Sequence, residues 1–472
     1  MRTNLWIEFS FCLLALSGAV NLTAQDAAPA SQPAPASAEQ AAPTAPKAEV
    51  KEAAPAAKPT ASAEALTAEL QKAADKFNQS DFVGALEELK QIRIQHQELA
   101  PAHLIMAQWF AQAGAGNGVR ASLEQATEEM PNDPEAYLLL GEIALRQGEL
   151  TAGELLLKQG ETLLAKFEGN PERLSLMKKM LLRNQISVAE LRQRWAQMAE
   201  KSDAYLALEP TNAQLMRQKA VALFQQKKEE DAKAMLAKAD EALKDAEEKG
   251  LCADAAMAQL YFARGDLKKA NESLTAALKV NEKSRETLTL AVLIRMRENK
   301  IPEAMTFAKT LLEEAPDSVE AKRLSATLSL YLNDFATAEK QFQEIVLASP
   351  ADANAVNGLA LALCEQGDSS KLKRAAEYAA SNVQRAPENA EFLGTLGWVL
   401  YQAKAFSESS EVMKRAISGG EINAANAYYL ARLAVQSGKN AEAVQLLQAA
   451  LASSQPFAKQ NDARALLDQL TK

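Results

Sequence analysis

From about residue 64 onward, apolar positions recur with the period of an α-helix, and the helical stretches alternate with short polar breaks. One slot in this pattern holds a small residue and returns mostly at intervals of 34 residues. A small side chain at a fixed place in every unit is typical of two helices that cross closely. The pattern therefore predicts a repeated pair of helices, and the small slot is occupied by Ala85, Val119, Gly153, Ala232, Ala270, Ala304, Ala338, Ala375, Ser409 and Ala443.

Two further slots keep the same register. A large apolar residue follows the small slot by four positions, at Leu89, Leu123, Leu157, Leu236, Leu274, Phe342, Met413 and Leu447. A proline closes several units, at Pro131, Pro210, Pro316, Pro350 and Pro387. These slots define ten units, which begin near residues 66, 100, 134, 213, 251, 285, 319, 353, 390 and 424. One kind of helical repeat is therefore expected over most of residues 64–455.

The unit resembles the tetratricopeptide repeat, whose signature places W-x2-L-G-x2-Y before A-x3-F and P. The match is closest at Tyr137-Leu-Leu-Leu-Gly141 and at Leu393-Gly-Thr-Leu-Gly397, and the second half of another unit is supplied by Ala338, Phe342 and Pro350. The signature's Trp slot never holds Trp in this chain. The resemblance implies an all-α fold, a right-handed superhelical α-solenoid of stacked antiparallel helix pairs. Neighbouring pairs of such a solenoid bury one another's apolar stripe.

Glycines stand where the two helices of a pair are expected to meet. Gly148, Gly265, Gly367 and Gly438 fall at these turns, where a residue with positive φ can end the first helix. The run Gly114-Ala-Gly116-Asn-Gly118 is similar to a phosphate-binding loop, but it lacks a preceding strand and falls at the turn of the second unit. We therefore expect an ordinary turn there.

Composition divides the chain into successive segments. The Ala- and Pro-rich stretch 25–62 predicts a disordered linker, since it holds no aromatic residue and cannot bury a core. A register break predicts a degenerate helical unit or hinge, with a longer second helix. The expected organisation is a signal peptide at 1–24, the linker at 25–62, about three repeat units at 63–165, the degenerate unit or hinge at 166–209, and about seven units at 210–472 with a capping helix at 456–470.

The first 24 residues resemble a bacterial secretory signal. Arg2 supplies the positive end, an apolar run follows, and cleavage is expected after Ala19 or Ala24. The apolar run is shorter than the ~20 residues of a membrane-spanning helix, so no transmembrane span is expected in the mature chain. The prediction is an exported protein, periplasmic or secreted. An uncleaved anchor and a cytosolic chain stay open as alternatives, because Glu8 interrupts the pattern.

Charge and composition argue against several functions. Sixty-one acidic residues against 52 basic ones give a net charge of −9, which disfavours a nucleic-acid partner. The two histidines, His96 and His103, form no recognisable catalytic or metal-binding motif, and no cofactor or metal is expected. Cys252 and Cys364 are too far apart in the repeat for a disulfide bond and are interpreted as buried thiols. The chain is therefore predicted not to be an enzyme.

Aromatic, arginine and asparagine residues suggest a binding surface. In the family that the chain resembles, the first helix of each unit lines a concave groove that contacts the ligand. That implication selects Arg323, Tyr331, Asn357, Trp398, Tyr401, Tyr428 and Arg432 as candidate partner-binding residues. The competing interpretation is that these large side chains belong to the core. The paired Lys and Asn residues with which some family members clamp a terminal carboxylate are not found.

Three functions remain after these observations. The first is a scaffold in the cell envelope that binds a protein or peptide through the groove. The second is a structural component of a pilus, secretion or polysaccharide-export machine. The third, an enzyme with carboxylate chemistry near residues 166–209, has the least support because the histidine and metal motifs are missing. The partner and the oligomeric state are not predicted.

Overall fold

The computed structural model describes residues 61–97, 99–244, 250–420, 422–453 and 456–472, with side chains from Leu66 onward. Over these residues the protein consists of 23 α-helices, and no strand occurs among them. The all-α prediction is confirmed. The predicted signal peptide and nearly all of the predicted linker lie outside the described residues.

The chain forms two compact units, which divide after Leu208. The described part of the first unit contains four helix pairs. Their helices are α1 (Ala61–Asn78), α2 (Phe82–Gln95), α3 (Ala102–Gln112), α4 (Gly116–Glu129), α5 (Pro134–Arg146), α6 (Leu150–Leu164), α7 (Pro171–Leu191) and α8 (Trp195–Leu206).

The described part of the second unit contains seven helix pairs and one further helix after them. The first helices of its pairs are α9 (Ala213–Gln225), α11 (Ala253–Arg264), α13 (Arg285–Arg297), α15 (Val319–Tyr331), α17 (Ala353–Cys364), α19 (Ala390–Gln402) and α21 (Ala424–Gln436). The second helices are α10 (Glu229–Ala242), α12 (Leu267–Val280), α14 (Ile301–Glu314), α16 (Phe335–Ala348), α18 (Ser369–Arg385), α20 (Phe406–Ala416) and α22 (Asn440–Ala452), and the last helix is α23 (Gln460–Thr471).

Polar side chains start most of the first helices. The N-terminal residue before the helix accepts a backbone N–H bond with its side chain, which satisfies a donor that the helix leaves unpaired. This capping occurs at Asp133, Asn170, Asn212, Ser284, Ser318, Asp352, Asn389 and Asn423. Short polar side chains therefore mark the starts of most repeats, in addition to the apolar pattern.

The small-residue slot is the crossing point within each pair. The alanines of this slot and Ser409 have no exposed surface, whereas Val119 is half-buried. In the pair α19–α20, Ser409 Oγ donates to the Gly397 carbonyl at 2.6 Å, and a Cβ on Gly397 would lie 2.5 Å from Met413 Sδ. The two helices thus approach as closely as small residues allow, as the slot predicted.

Every pair turns through one residue in the left-handed conformation. Glycine occupies this place in five pairs, at Gly114, Gly148, Gly265, Gly367 and Gly438. In the other pairs the same place is occupied by Ser80, Gln193, Lys227, Asn299, Asn333 and Lys404. The turn geometry is therefore common to the repeat, and the glycine pattern in the sequence revealed only part of it. The Gly114 run forms a turn between α3 and α4.

The segment 166–209 folds as a complete pair, α7–α8. The expectation of a longer second helix is wrong, because the long helix is the first: α7 has 21 residues and α8 has 12. Helix α7 ends at Leu191, and Gln193 adopts a φ of 54° in the turn that leads to α8. Ile186 and Val188 on α7 are buried, so this pair contributes to the core of its unit.

Helix packing follows the pairs. Within each unit, nearly every helix packs most extensively against the other helix of its pair and then against the next pair, which is the stacked arrangement that the repeat predicts. The largest apolar cluster of the second unit extends from α15 to α23. Cys364 is buried in this cluster, whereas Cys252 is half-buried at the start of α11, and both are free thiols. Among the described helices, none is both long and apolar enough to cross a bilayer.

Candidate interaction site

Four neighbouring first helices of the second unit carry all seven predicted partner-binding residues. These helices, α15, α17, α19 and α21, contact one another in sequence along the stack. Arg323 and Tyr331 lie on α15, Asn357 on α17, Trp398 and Tyr401 on α19, and Tyr428 and Arg432 on α21. We call the surface that these residues share the first-helix face.

Aromatic rings form the centre of the first-helix face. Trp398 stacks on Tyr401 with ring centroids 5.1 Å apart and an interplanar angle of 7°, and on Tyr429 at 4.7 Å and 15°. Tyr428 tilts against Trp398 at 5.7 Å. Such offset stacks add stabilisation beyond the apolar area that they bury. Trp398 is 2% exposed and Tyr428 1%, so these two rings belong to the core as well as to the face.

Arg432 and Tyr401 lie at the accessible edge of the aromatic cluster. Both side chains are half-buried, and the Arg432 guanidinium lies 5.8 Å from the centre of the Tyr401 ring. Burial disfavours the charge of Arg432, but hydrogen bonds and charge interactions with Tyr401 and Tyr428 outweigh it and raise the pKa of the guanidinium. A cation held over aromatic rings is suited to contact with a partner.

A buried ion pair lies beside the rings. Glu365, which ends α17, accepts a hydrogen bond from Trp398 Nε1 at 2.7 Å with one carboxylate oxygen. Its other oxygen lies 2.7 Å from Lys459 Nζ. The two side chains are only 10% and 11% exposed. A pair this well covered by protein is stable only while both charges are present.

Lys459 belongs to the segment Pro456–Lys459, which joins α22 to α23 and which we call the C-terminal segment. Its residues reach back to helices three pairs earlier in the chain. Tyr331 Oη donates to the Pro456 carbonyl at 3.2 Å, and Lys459 Nζ lies 5.3 Å from the centre of the Phe335 ring. Phe457 is buried against Tyr428 at 6.2 Å. The C-terminal segment therefore crosses the first-helix face.

Polar contacts within α15 and with the next pair hold Arg323, and a contact with the next pair holds Asn357. Arg323 binds Glu320 at 3.0 Å and Asp352 at 2.8 Å. Asn357 Nδ2 donates to Glu391 Oε1 at 3.2 Å. Desolvation by the surrounding helices raises the pKa of the Glu391 carboxyl, and the Asn357 hydrogen bond opposes that shift. Burial raises the pKa of Tyr331 to about 12, so its hydroxyl remains a donor at neutral pH.

Four residues of this arrangement were not among the candidates, and the binding role of the predicted residues stays a prediction. Tyr429, Glu365 and Phe457 contact predicted residues, and Lys459 pairs with Glu365. Glu365 and Trp398 are 33 positions apart, nearly one repeat, and this spacing could have suggested contact across adjacent pairs. Nothing in the local pattern could have placed Lys459 here, because its contacts bridge about 100 residues of chain.

The described residues offer binding surfaces more than reactive groups. Within them, no cluster of three or more His, Cys, Asp or Glu side chains is arranged to hold a metal ion. His103 contacts Glu129 at 3.1 Å near the start of the repeats, far along the chain from the first-helix face. The arrangement of rings, one guanidinium and a buried carboxylate is suited to recognising an aromatic or cationic side chain.

Comparison with known families supports the repeat. The family model described as tetratricopeptide repeat matches residues 120–163, 255–319 and 324–371. The predicted resemblance is therefore confirmed over these segments. No curated protein matches the chain.

Solved structures similar to this chain include several bacterial proteins. A tetratricopeptide repeat protein from Parabacteroides merdae is 15% identical, covers 62% of this chain and 99% of its own, and gives a TM-score of 0.41. A thermophilic protein of the same repeat type from Thermus thermophilus is 19% identical, with coverages of 40% and 99% and a TM-score of 0.35. The pilF protein of Pseudomonas aeruginosa is 14% identical, with coverages of 46% and 95% and a TM-score of 0.33.

Proposed function

We propose, from the premise that this chain carries tetratricopeptide repeats, that it is a non-enzymatic scaffold whose first-helix face binds a protein partner. The observation that carries the proposal is the stack of Tyr401, Trp398 and Tyr429 with Arg432 at its edge. Binding energy in protein interfaces concentrates on aromatic and arginine side chains surrounded by well-packed neighbours. Here a rigid core holds those side chains on consecutive helices.

The face offers contacts suited to a segment of protein rather than to a compact small molecule. Its polar and aromatic groups are distributed over four helices, from Arg323 on α15 to Arg432 on α21. An extended peptide can contact all four helices, because each helix adds one step along the stack. The net charge of −9 supports a protein partner over nucleic acid.

Site-specific photo-crosslinking in cells tests this proposal. The crosslinking residue replaces Asn354, which is exposed one turn before Asn357, or Gln402, which follows Trp398 by one turn. Matched controls place it at Lys340 and Lys414, which are exposed on the second helices α16 and α20. A defined partner should be captured from the first two positions only. Capture of the same partner from all four positions, or from the controls alone, would overturn the proposal.

We also propose that the scaffold acts after export to the cell envelope. The support is the signal-like pattern of residues 1–24, which lie outside the described structure. N-terminal sequencing of the purified protein should find a chain that begins at Val20 or Gln25. A chain that retains Arg2 in the cytosolic fraction would remove this part of the proposal.

The same location suits a component of an assembled envelope machine, and deletion of residues 25–62 separates the two roles. A peptide-binding scaffold should keep its partner after this deletion, because the first-helix face is untouched. Loss of assembly with partner binding intact would favour the structural role.

A further inference from the structure

The C-terminal segment touches the first-helix face in the way that a bound peptide would. It presents one ammonium group and one backbone carbonyl to residues more than 90 positions earlier in the chain, and one aromatic side chain to Tyr428 of the preceding pair. The hydrogen bond from Tyr331 to Pro456 joins residues 125 positions apart. The segment lies between α22 and α23 and is not helical. Its side chains therefore project from an irregular backbone, as those of a bound peptide do.

The ammonium of Lys459 lies in a pocket with the features of a lysine-recognition site. Glu365 supplies a carboxylate oxygen at 2.7 Å, and the Phe335 ring lies 5.3 Å away. Trp398 donates to the other oxygen of Glu365 and so fixes the orientation of that carboxylate. Asp462 adds a second, weaker contact at 3.4 Å from within the C-terminal region itself. A carboxylate and a ring face together favour a cation over a neutral group.

The Phe457 side chain fills the neighbouring apolar position. It is 7% exposed and lies in the same apolar cluster as Trp398, Tyr428 and Tyr429. Phe457 and Lys459 are separated by one residue, Ala458, which is half-buried. The first-helix face therefore contacts an aromatic residue and, two positions later, a lysine.

We propose that the C-terminal segment is an intramolecular ligand, and that the protein partner of the first-helix face is a peptide segment that displaces it by presenting the same aromatic-x-lysine pattern. This inference rests on the proposed scaffold function and adds the chemistry of its partner. In the closed state, which the structure shows, Lys459 of the C-terminal segment contacts Glu365 and Phe457 contacts Tyr428. A partner binds only to the fraction of molecules in which the segment has left, which lowers its apparent affinity.

The test measures binding of a fluorescein-labelled peptide with the sequence of residues 453–460, SSQPFAKQ, by fluorescence anisotropy. The proteins are the full chain and its double variant Phe457→Ala/Lys459→Ala, which weakens the internal ligand and keeps α23. The double variant should bind the peptide at least tenfold more tightly than the unaltered protein, because the internal competitor has been weakened. Equal affinities, or no binding to either protein, would overturn the proposal.

Changes in the peptide and the pocket establish where the peptide binds. A peptide with glutamate in place of its lysine, or alanine in place of its phenylalanine, should bind the double variant at least tenfold more weakly. A further peptide carries methionine in place of the lysine. Adding Glu365→Gln to the double variant should remove most of its preference for the lysine peptide over the methionine peptide. An unchanged preference would show that the peptide binds elsewhere and would refute the assignment.

Two controls address folding and location. Arg464→Ala changes an exposed residue of α23 and should leave peptide affinity at the unaltered value. Where the double variant loses its helical circular dichroism, Lys459→Met replaces it, since methionine keeps the length and apolar stem of lysine. Lys459→Met should then bind the peptide more tightly than the unaltered protein, and the absence of any gain would count against the proposal.

The two proposals fail in different ways. Cellular crosslinks from Asn354 and Gln402, together with equal peptide affinities of the double variant and the unaltered protein, would retain the scaffold and reject the internal ligand. Tighter peptide binding by the double variant without any cellular crosslink would retain the internal ligand and reject the scaffold.

Discussion

Two aromatic clusters of the second unit use the same residue types and differ in what surrounds them. In the α9–α12 cluster, Tyr261 packs edge-on against Phe224 at 5.1 Å, and Arg264 lies 4.4 Å from the Phe224 ring. Glu229 accepts bonds from Tyr261 Oη at 2.8 Å and from Arg264 and Lys269 at 2.6 Å each. All of these partners come from adjacent pairs, and the Glu229 side chain remains 21% exposed.

The α17–α21 cluster also joins rings, an arginine and a glutamate, but its glutamate is buried and its cation comes from the C-terminus. Glu365 depends on Lys459, whereas Glu229 has three donors from its own neighbourhood. A repeat can therefore complete one charged cluster locally and leave the next dependent on a distant segment. Because Glu365 takes its cation from a distant segment, a lysine of a partner can replace Lys459 there, as proposed above. Variants at both clusters test this difference.

The largest effect should come from removing the central ring of the second cluster. Trp398→Ala deletes a 2% exposed indole and the donor to Glu365. We expect the free energy of unfolding to fall by about 3–5 kcal/mol, because a buried aromatic leaves a cavity. Urea denaturation followed by circular dichroism measures it. Phe262→Ala on α11 removes a half-buried ring and should cost clearly less. Equal losses would contradict the central, buried place of Trp398.

The next effect concerns the two ion pairs. Lys459→Met leaves the Glu365 charge uncompensated in a buried site, which should reduce the free energy of unfolding by about 3 kcal/mol. Lys269→Met at Glu229 should cost ~1 kcal/mol or less, because that pair is solvated and Arg264 remains. The double variant Glu365→Gln/Lys459→Met should recover part of the loss. Equal costs at the two lysines, measured by chemical denaturation, would contradict the contrast between the two clusters.

A pH titration sharpens the comparison from the side of Glu229. Hydrogen bonds from Lys269, Arg264 and Tyr261 lower the pKa of Glu229 from 4.5 to about 2. A lowered pKa means that the stabilisation is complete above pH 4.5 and is lost as the pH falls toward 2. Because these groups are partly solvated, we expect a loss of ~1 kcal/mol over that window.

The control for this titration is Glu229→Gln, which has no carboxyl group to protonate at that position. Its stability should be lower at neutral pH and should approach that of the unaltered protein at acid pH. The difference between the two proteins, measured by denaturation at several pH values, isolates the contribution of Glu229. A difference that does not depend on pH would contradict the assignment.

The smallest effect lies in the turns of the same two regions. The α11–α12 turn uses Gly265 at a φ of 82°, whereas the α19–α20 turn uses Lys404 at 63°. A side chain in the left-handed region is strained, so Lys404→Gly should raise the free energy of unfolding by about 0.5–1 kcal/mol. The reciprocal change Gly265→Ala should lower it by a similar amount. Thermal denaturation checks both, and a gain from Gly265→Ala would disprove the common turn geometry.

The sequence predicted the repeated elements because their causes are local. The small slot at Ala232 or Ser409 and the caps at Asp352 or Asn389 act within a single pair, so each leaves a mark at the spacing of the repeat. The resemblance to the repeat family selected the seven candidate residues, and the structure places them on four neighbouring first helices. Their part in partner binding stays a prediction. The local pattern failed at residues 166–209, where α7 extends over 21 residues before Gln193 turns the chain, so the first helix is longer than in the other pairs.

Local patterns in the amino-acid sequence were therefore enough to predict the helix pairs, their order and the helices that carry the aromatic residues. Three-dimensional packing determined which rings are buried and which carboxylate needs a distant cation. It also determined that Pro456 and Lys459 contact residues more than 90 positions earlier in the chain. The physical reason is that periodicity and capping act between residues close in sequence. The contacts of Lys459 with Glu365 and Phe335 arise only when the stacked pairs bring the end of the chain back to them.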